Sequence, residues 1–145
     1  MLEVYVTVVL SILLYACETW TVLDQHVKRL EVFHMRCLRN ICGVSLRDHV
    51  RNATILKRCS LPSIASTLRH RRLRWLGHVH RMGDCRLPKQ MLYGQVVGRR
   101  TVGRPHARWH DVVRKDLDSI HHLLDWDTVC LERDSWRLLI DAVRT

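Results

Sequence analysis

From His49 to Gly83 the sequence carries no aspartate or glutamate, although eight lysines and arginines fall there. That gap excludes an ordinary solvated helix whose cations are neutralised by acids one turn away. No two aspartates are adjacent anywhere in the chain. Paired carboxylates are what a two-metal polymerase or nuclease needs, so no such centre is expected. There is no CxxC; Cys37 and Cys42 have four residues between them and no second pair at matching distance. His78 and His80 point to different helix faces, and His106 and His110 share a face without a further carboxylate or imidazole set, so no zinc site or other cofactor is expected. The nucleophile-elbow, phosphate-loop and HExxH patterns are missing too. A single Phe against five Trp implies a few bulky anchors rather than a broad aromatic core. The opening is not basic and has no small-residue cleavage site, so no secretory signal is read there. The apolar run Val4 to Cys17 is short for a membrane span and contains Thr7 and Ser11, so no membrane partner is expected. Without a dense cysteine framework, the six Cys read as free thiols of an intracellular protein, nuclear or cytoplasmic.

What is present is positive charge, and it is segregated. The 145 residues carry a formal net charge of +10. Residues 1–48 are net zero, residues 49–110 net +13 and residues 111–145 net −3. A neutral start and an acidic end bracket a basic middle, where a sugar-phosphate backbone would lie. The length suits one domain with a modest core, and with nearly half the residues apolar the chain is not disordered by composition.

The periodicity predicts a mostly α fold, a small bundle of about five helices in a single unit. Val4 to Val9 is β-branched and reads either as a short N-terminal strand or as the start of a buried helix. From Asp24 to Gly43, Val27, Leu30, Phe33, Cys37, Leu38 and Ile41 recur at helical spacing, with Arg36 and Arg39 off the stripe. A short helix is expected from Asn52. Pro62 and Ser63 open a long helix running to about Met82. On it Ile64, Leu68, Trp75, Leu76, Val79 and Met82 fall in one arc, and His70, Arg71, Arg74, His78 and Arg81 in another. Arg72 lands inside the apolar arc, where it must snorkel or meet a buried acid or a phosphate. Leu87-Pro88 reads as a break before the short element Met91 to Tyr93. Gly98 to Pro105 reads as a loop, and two helices follow: one faced by Trp109, Val112, Val113, Leu117, Ile120 and Leu124, the last by Val129, Arg133, Trp136, Ile140 and Val143.

Two constellations suit a polyanion. Arg71, Arg74, His78 and Arg81 recur at three- and four-residue spacing, so successive turns can follow successive phosphates. In the loop, Arg99, Arg100 and Arg104 stand beside Gly98, Gly103 and Pro105, and Arg108 follows; glycine lets a backbone approach phosphate and arginine supplies paired donors. Trp109 shares a face with Val112, Val113 and Leu117 and is read as a core residue. Recognition of RNA, DNA or a hybrid would follow backbone shape, because arginines without Asn or Gln partners offer little base-edge code.

A longer pattern is also legible. It runs through Leu14-Tyr15-Ala16-Cys17-Glu18-Thr19-Trp20, Asp48-His49-Val50-Arg51-Asn52, Arg72-Leu73-Arg74-Trp75-Leu76-Gly77-His78-Val79-His80-Arg81-Met82, Arg86-Leu87-Pro88, Gly103-Arg104-Pro105, Arg108-Trp109 and Glu132-Arg133-Asp134-Ser135-Trp136-Arg137. In order and spacing it resembles the C-terminal, post-palm region of LINE-type (non-LTR) retrotransposon reverse transcriptases. The resemblance covers about Val4 to Arg137. It implies a largely helical thumb and extension that grips template–primer, a non-enzymatic fragment whose partners include the polymerase's palm and fingers. Ala16 stands where that pattern has Gly, and Leu46 where it commonly has Trp.

Overall fold

The computed structural model describes residues 1–94, 108–118 and 126–142. Among the described residues there are eight helices and no strand. The helical class is as expected; the count exceeds five. The N-terminal segment is helical, not extended. Helix α1 covers residues 2–13, α-helical at Leu2–Val4 and Ser11–Leu13 with a wider π-helical stretch Tyr5–Leu10 between them. Its β-branched residues are accommodated because one face packs: Tyr5 is buried, and Leu2, Val6 and Leu10 lie against the same cluster. Tertiary burial here outweighs the intrinsic strand preference of valine.

A 3-10 turn at Cys17–Thr19 leads to α2 (Asp24–Cys42). Gly43 ends α2 in the left-handed region, φ +64°, where its N–H reaches back to the carbonyls of the last turn. Two residues of α2 depart from the sequence reading. Phe33 is exposed, whereas Arg39 is buried and donates through Nη2 to the Val50 carbonyl at 2.8 Å and to Asn52 Oδ1 at 2.7 Å. That clamp fixes the start of α3 (Asn52–Cys59) against α2. All six cysteines are free thiols, and the Sγ atoms of Cys42 and Cys59 approach to 3.3 Å across this same junction.

Helix α4 (Ile64–His80) is the hub of the molecule. Ser63 Oγ accepts from the Ser66 N–H at 3.1 Å, and the Glu31 carboxylate of α2 accepts from the Ile64 N–H at 2.8 Å. Two unpaired first-turn donors are thereby met, one by a negative charge suited to a helix N-terminus. Next come α5 (Leu87–Tyr93), α6 (Trp109–Asp118), α7 (Trp126–Leu131) and α8 (Arg133–Ala142). Pro88 opens α5 instead of breaking the chain, since a proline in the first helical turn forfeits no hydrogen bond. The single last helix of the sequence reading is two, divided at Glu132. Ile120, Leu124 and Val143, expected on helix faces, lie outside the described residues, as does Pro105.

The first half of α4 gives Ile64 and Leu68 to a cluster with Leu14 and Cys17. Its second half gives Leu73 and Leu76 to a cluster with Val113, Cys130, Trp136 and Ile140. A third cluster joins Tyr5, Met35, Leu38, Ile55 and Cys59. Helices α4 and α8 run antiparallel, because His70 meets Asp141, Leu73 meets Trp136 and Arg81 meets Cys130. The buried Trp136 indole lies directly on Gly77, and its Nε1 donates to the Leu73 carbonyl at 3.0 Å. No helix among the described residues is long and apolar enough to cross a membrane.

Candidate nucleic-acid interface

Antiparallel packing of α8 on α4 leaves a groove of about 780 Å³ along their crease. Every helix-borne residue expected to bind lines it: Arg71, Arg74, His78 and Arg81, with His70 beside them. The opposite wall is α8, which adds Arg133 and Arg137. These two were missed in sequence because residues 111–145 are acidic in sum. Their four-residue spacing, continued by Asp141, was the signal that places them on one face.

The cations of the groove do different jobs. Arg71 Nη1 donates to the Leu14 carbonyl at 2.8 Å and lies 3.8 Å from Cys17 Sγ, tying the N-terminal segment to α4. Burial pushes the Cys17 thiol up despite this guanidinium, so it stays protonated at neutral pH. Arg81 Nη1 donates to the Cys130 carbonyl at 2.7 Å, a C-terminal acceptor of α7. His70 Nε2 pairs with the Asp141 carboxylate at 2.9 Å. No carboxylate of a described residue pairs with Arg74, Arg133 or Arg137, all three exposed. Glu18 and Asp141 are the acids among the lining residues, against five arginines. Five arginines lining one partly enclosed crease raise its positive potential, and that field favours an anion there.

Arg72 resolves differently. It is 7 % exposed, and its Nε donates to Asp116 Oδ2 at 2.7 Å, with Arg69 on the other carboxylate oxygen at 3.6 Å. Of the fates the sequence offered it, the buried acid is the one observed, and α4 is thereby joined to α6.

Trp75 also departs from expectation. It was placed with the core arc, yet it lines the groove and packs against none of the three buried clusters. Its ring lies 5.4 Å from that of His78. On the helical wheel Trp75 lies only about 40° from Arg71, on the side of the apolar arc nearer the cations. Trp109, by contrast, packs on the core as expected, and its Nε1 donates to the Glu18 carbonyl at 2.7 Å. Arg108 is exposed just before α6 and is not among the residues lining the groove. Arg99, Arg100 and Arg104 lie outside the described residues.

A smaller cavity of about 300 Å³, walled by Leu76, Leu92, Val113, Leu117, Trp126 and Leu139, is mainly an extension of the core. Among the described residues no three His, Cys, Asp or Glu gather closely enough to hold a metal ion.

No family model and no solved structure matches the chain. The chain spans about half the length of a relative that it does match. Over 92 % of its own residues it is 28 % identical to an uncharacterized transposon-derived protein of Caenorhabditis elegans, of which it covers 51 %.

Proposed function

We propose that this chain is a non-catalytic, nucleic-acid-binding piece of a transposon-derived protein of the LINE reverse-transcriptase kind, holding a sugar-phosphate backbone in the crease between α4 and α8. One observation carries the reading. Arginines from two helices far apart in sequence, Arg74 on α4 and Arg133 and Arg137 on α8, converge on one groove with no carboxylate of a described residue paired to them. The relative's transposon origin and the LINE-like motif order support it. Arg71 and Arg81 add positive potential, but their carbonyl bonds make them structural as well.

The test is salt-dependent binding of fluorescent RNA, DNA and RNA–DNA hybrid probes, single-stranded and paired, comparing the wild type with Arg74→Ala, Arg133→Ala and Arg137→Ala. Each substitution is expected to weaken binding equally across sequences and to make the plot of log affinity against log salt shallower by about one. Three variants with the wild-type slope would refute the proposal.

A second reading has its own observation. Val4, Val8 and Ile12 of α1, with Met1 and Tyr15 just beyond its two ends, are exposed apolar residues. A surface of that kind suits an orphan structural piece normally packed against the palm of a polymerase encoded upstream. Dye-detected apolar exposure and self-association, together with absent binding in the salt series, are the expected marks of that case.

A further inference from the structure

Resting on the backbone-binding reading, we infer that the groove takes a single strand, with one base seated against Trp75 and His78 while the arginines hold the flanking phosphates. The first argument is width. Trp136 of α8 lies against Gly77 of α4 with no side chain between them. Helices packed so closely stand about 8–10 Å apart, axis to axis. A crease of that gauge admits one strand; a double helix could only rest across its rim.

The second argument is the odd tryptophan. Trp20, Trp109, Trp126 and Trp136 all belong to, or pack against, one of the buried clusters. Trp75 packs against none and faces the groove between Arg71, Arg74 and His78. Backbone tracking alone gives no use for an indole there. A flat π surface set among guanidinium groups is what proteins that hold unpaired strands present to successive bases. The His78 ring, tilted 47° to the indole at 5.4 Å, forms a second side of the seat.

The third argument is polarity along the groove. The His70–Asp141 pair joins the two helices at one end, and the Arg81–Cys130 carbonyl bond joins α4 to the approach to α8 at the other. Arg74, His78, Arg133 and Arg137 lie in the sequence intervals between these two ties. The phosphate-facing charge is therefore concentrated in the stretch that also holds Trp75.

The experiment compares three twelve-residue probes with the full chain, by anisotropy at fixed salt: oligothymidylate, the same backbone with all bases removed, and a duplex. Stacking of one base is worth about tenfold in affinity, within a wide range. Oligothymidylate is expected to bind about tenfold more tightly than the abasic strand and to quench tryptophan fluorescence, with the duplex weaker than the oligothymidylate. Trp75→Leu should abolish the advantage of the base-bearing strand; Trp75→Phe should retain most of it. Equal binding of the abasic and base-bearing strands, or preference for the duplex, overturns this inference while the backbone reading stands. Failure of all three probes to bind overturns both. The probe comparison needs no variant, so a folding defect in Trp75→Leu would not shield the inference.

Discussion

Alanine at Gly77 should test the packing that creates the groove. On propensity alone this change inside α4 would stabilise the helix by about 1 kcal/mol. The structure predicts the opposite sign. A Cβ there would lie 3.1 Å from Cε2 of Trp136 and closer still to Nε1 and Cδ1. The nearest atoms belong to a rigid ring that is itself 2 % exposed and bonded to the Leu73 carbonyl. Overpacking of this type costs about 1–3 kcal/mol. Displacing the indole also strands a buried N–H donor, another loss of about 1–3 kcal/mol. After the propensity gain, the net is about 1–5 kcal/mol of destabilisation, or a fall in Tm of roughly 3–20 °C for a chain of this size. Scanning calorimetry or thermal circular dichroism reads it directly. A double-mutant cycle with Trp136→Leu sharpens the test, since the pair should cost at least about 1 kcal/mol less than the sum of its parts. A Tm for Gly77→Ala equal to or above wild type would refute the helix contact, and with it the close gauge of the crease.

Three further outcomes follow from buried or strained positions. Arg72→Met removes the shorter of the two arginine contacts to the buried Asp116 carboxylate and should cost about 3–5 kcal/mol; replacing Asp116 by Leu in the same chain should restore most of it, as chemical denaturation will show. Burial holds His34 below the ordinary histidine range. The unfolded chain therefore takes up this proton first, and the stability His34 contributes, fully present above about pH 6.5, is lost as pH falls through its folded value. Denaturant midpoints measured from pH 8 to pH 5 should decline, and His34→Gln should flatten that slope. Ala16 occupies the left-handed region at φ +53°, at the position where the LINE-like pattern carries Gly. Ala16→Gly should raise stability by about 0.5–1 kcal/mol in the same assay, and a loss would mean that the turn is not held in that conformation.

The parts of this fold written in local chemistry were legible in the sequence. Gly43 ends α2, Asn52 begins α3, and Ser63 caps an α4 that stops within two residues of its expected end. The cation arc of α4 was likewise visible, since helical spacing alone aligns Arg71, Arg74, His78 and Arg81. What sequence could not show was set by partners distant in the chain. Helix α1 was ambiguous because the strand preference of its valines is opposed by the packing of Leu2, Tyr5, Val6 and Leu10 against α2 and α3. Arg39 looks like a solvent-facing charge until Asn52 is brought to it, and Arg72, already out of place in the apolar arc, could be given its partner only when Asp116 arrived from α6. The second wall of the groove was hidden by averaging, because Arg133 and Arg137 belong to a segment that is acidic in sum, of whose described acids Asp141 alone lines the groove. Trp75 was misjudged because a position on the cation side of the apolar arc follows whichever neighbour arrives, and here α8 arrived on the other side.

The clasp on the N-terminal segment has a consequence for how the molecule is made. The Leu14 carbonyl waits for a donor 57 residues later, Glu18 for one 91 residues later, and Leu73 for one 63 residues later. A nascent polypeptide can therefore wind its first four helices early, but the lock across them closes only when Trp109 and then Trp136 have left the ribosome. Premature termination before Trp136 would yield chains with helices intact and their assembly open, natural prey for chaperones and proteases.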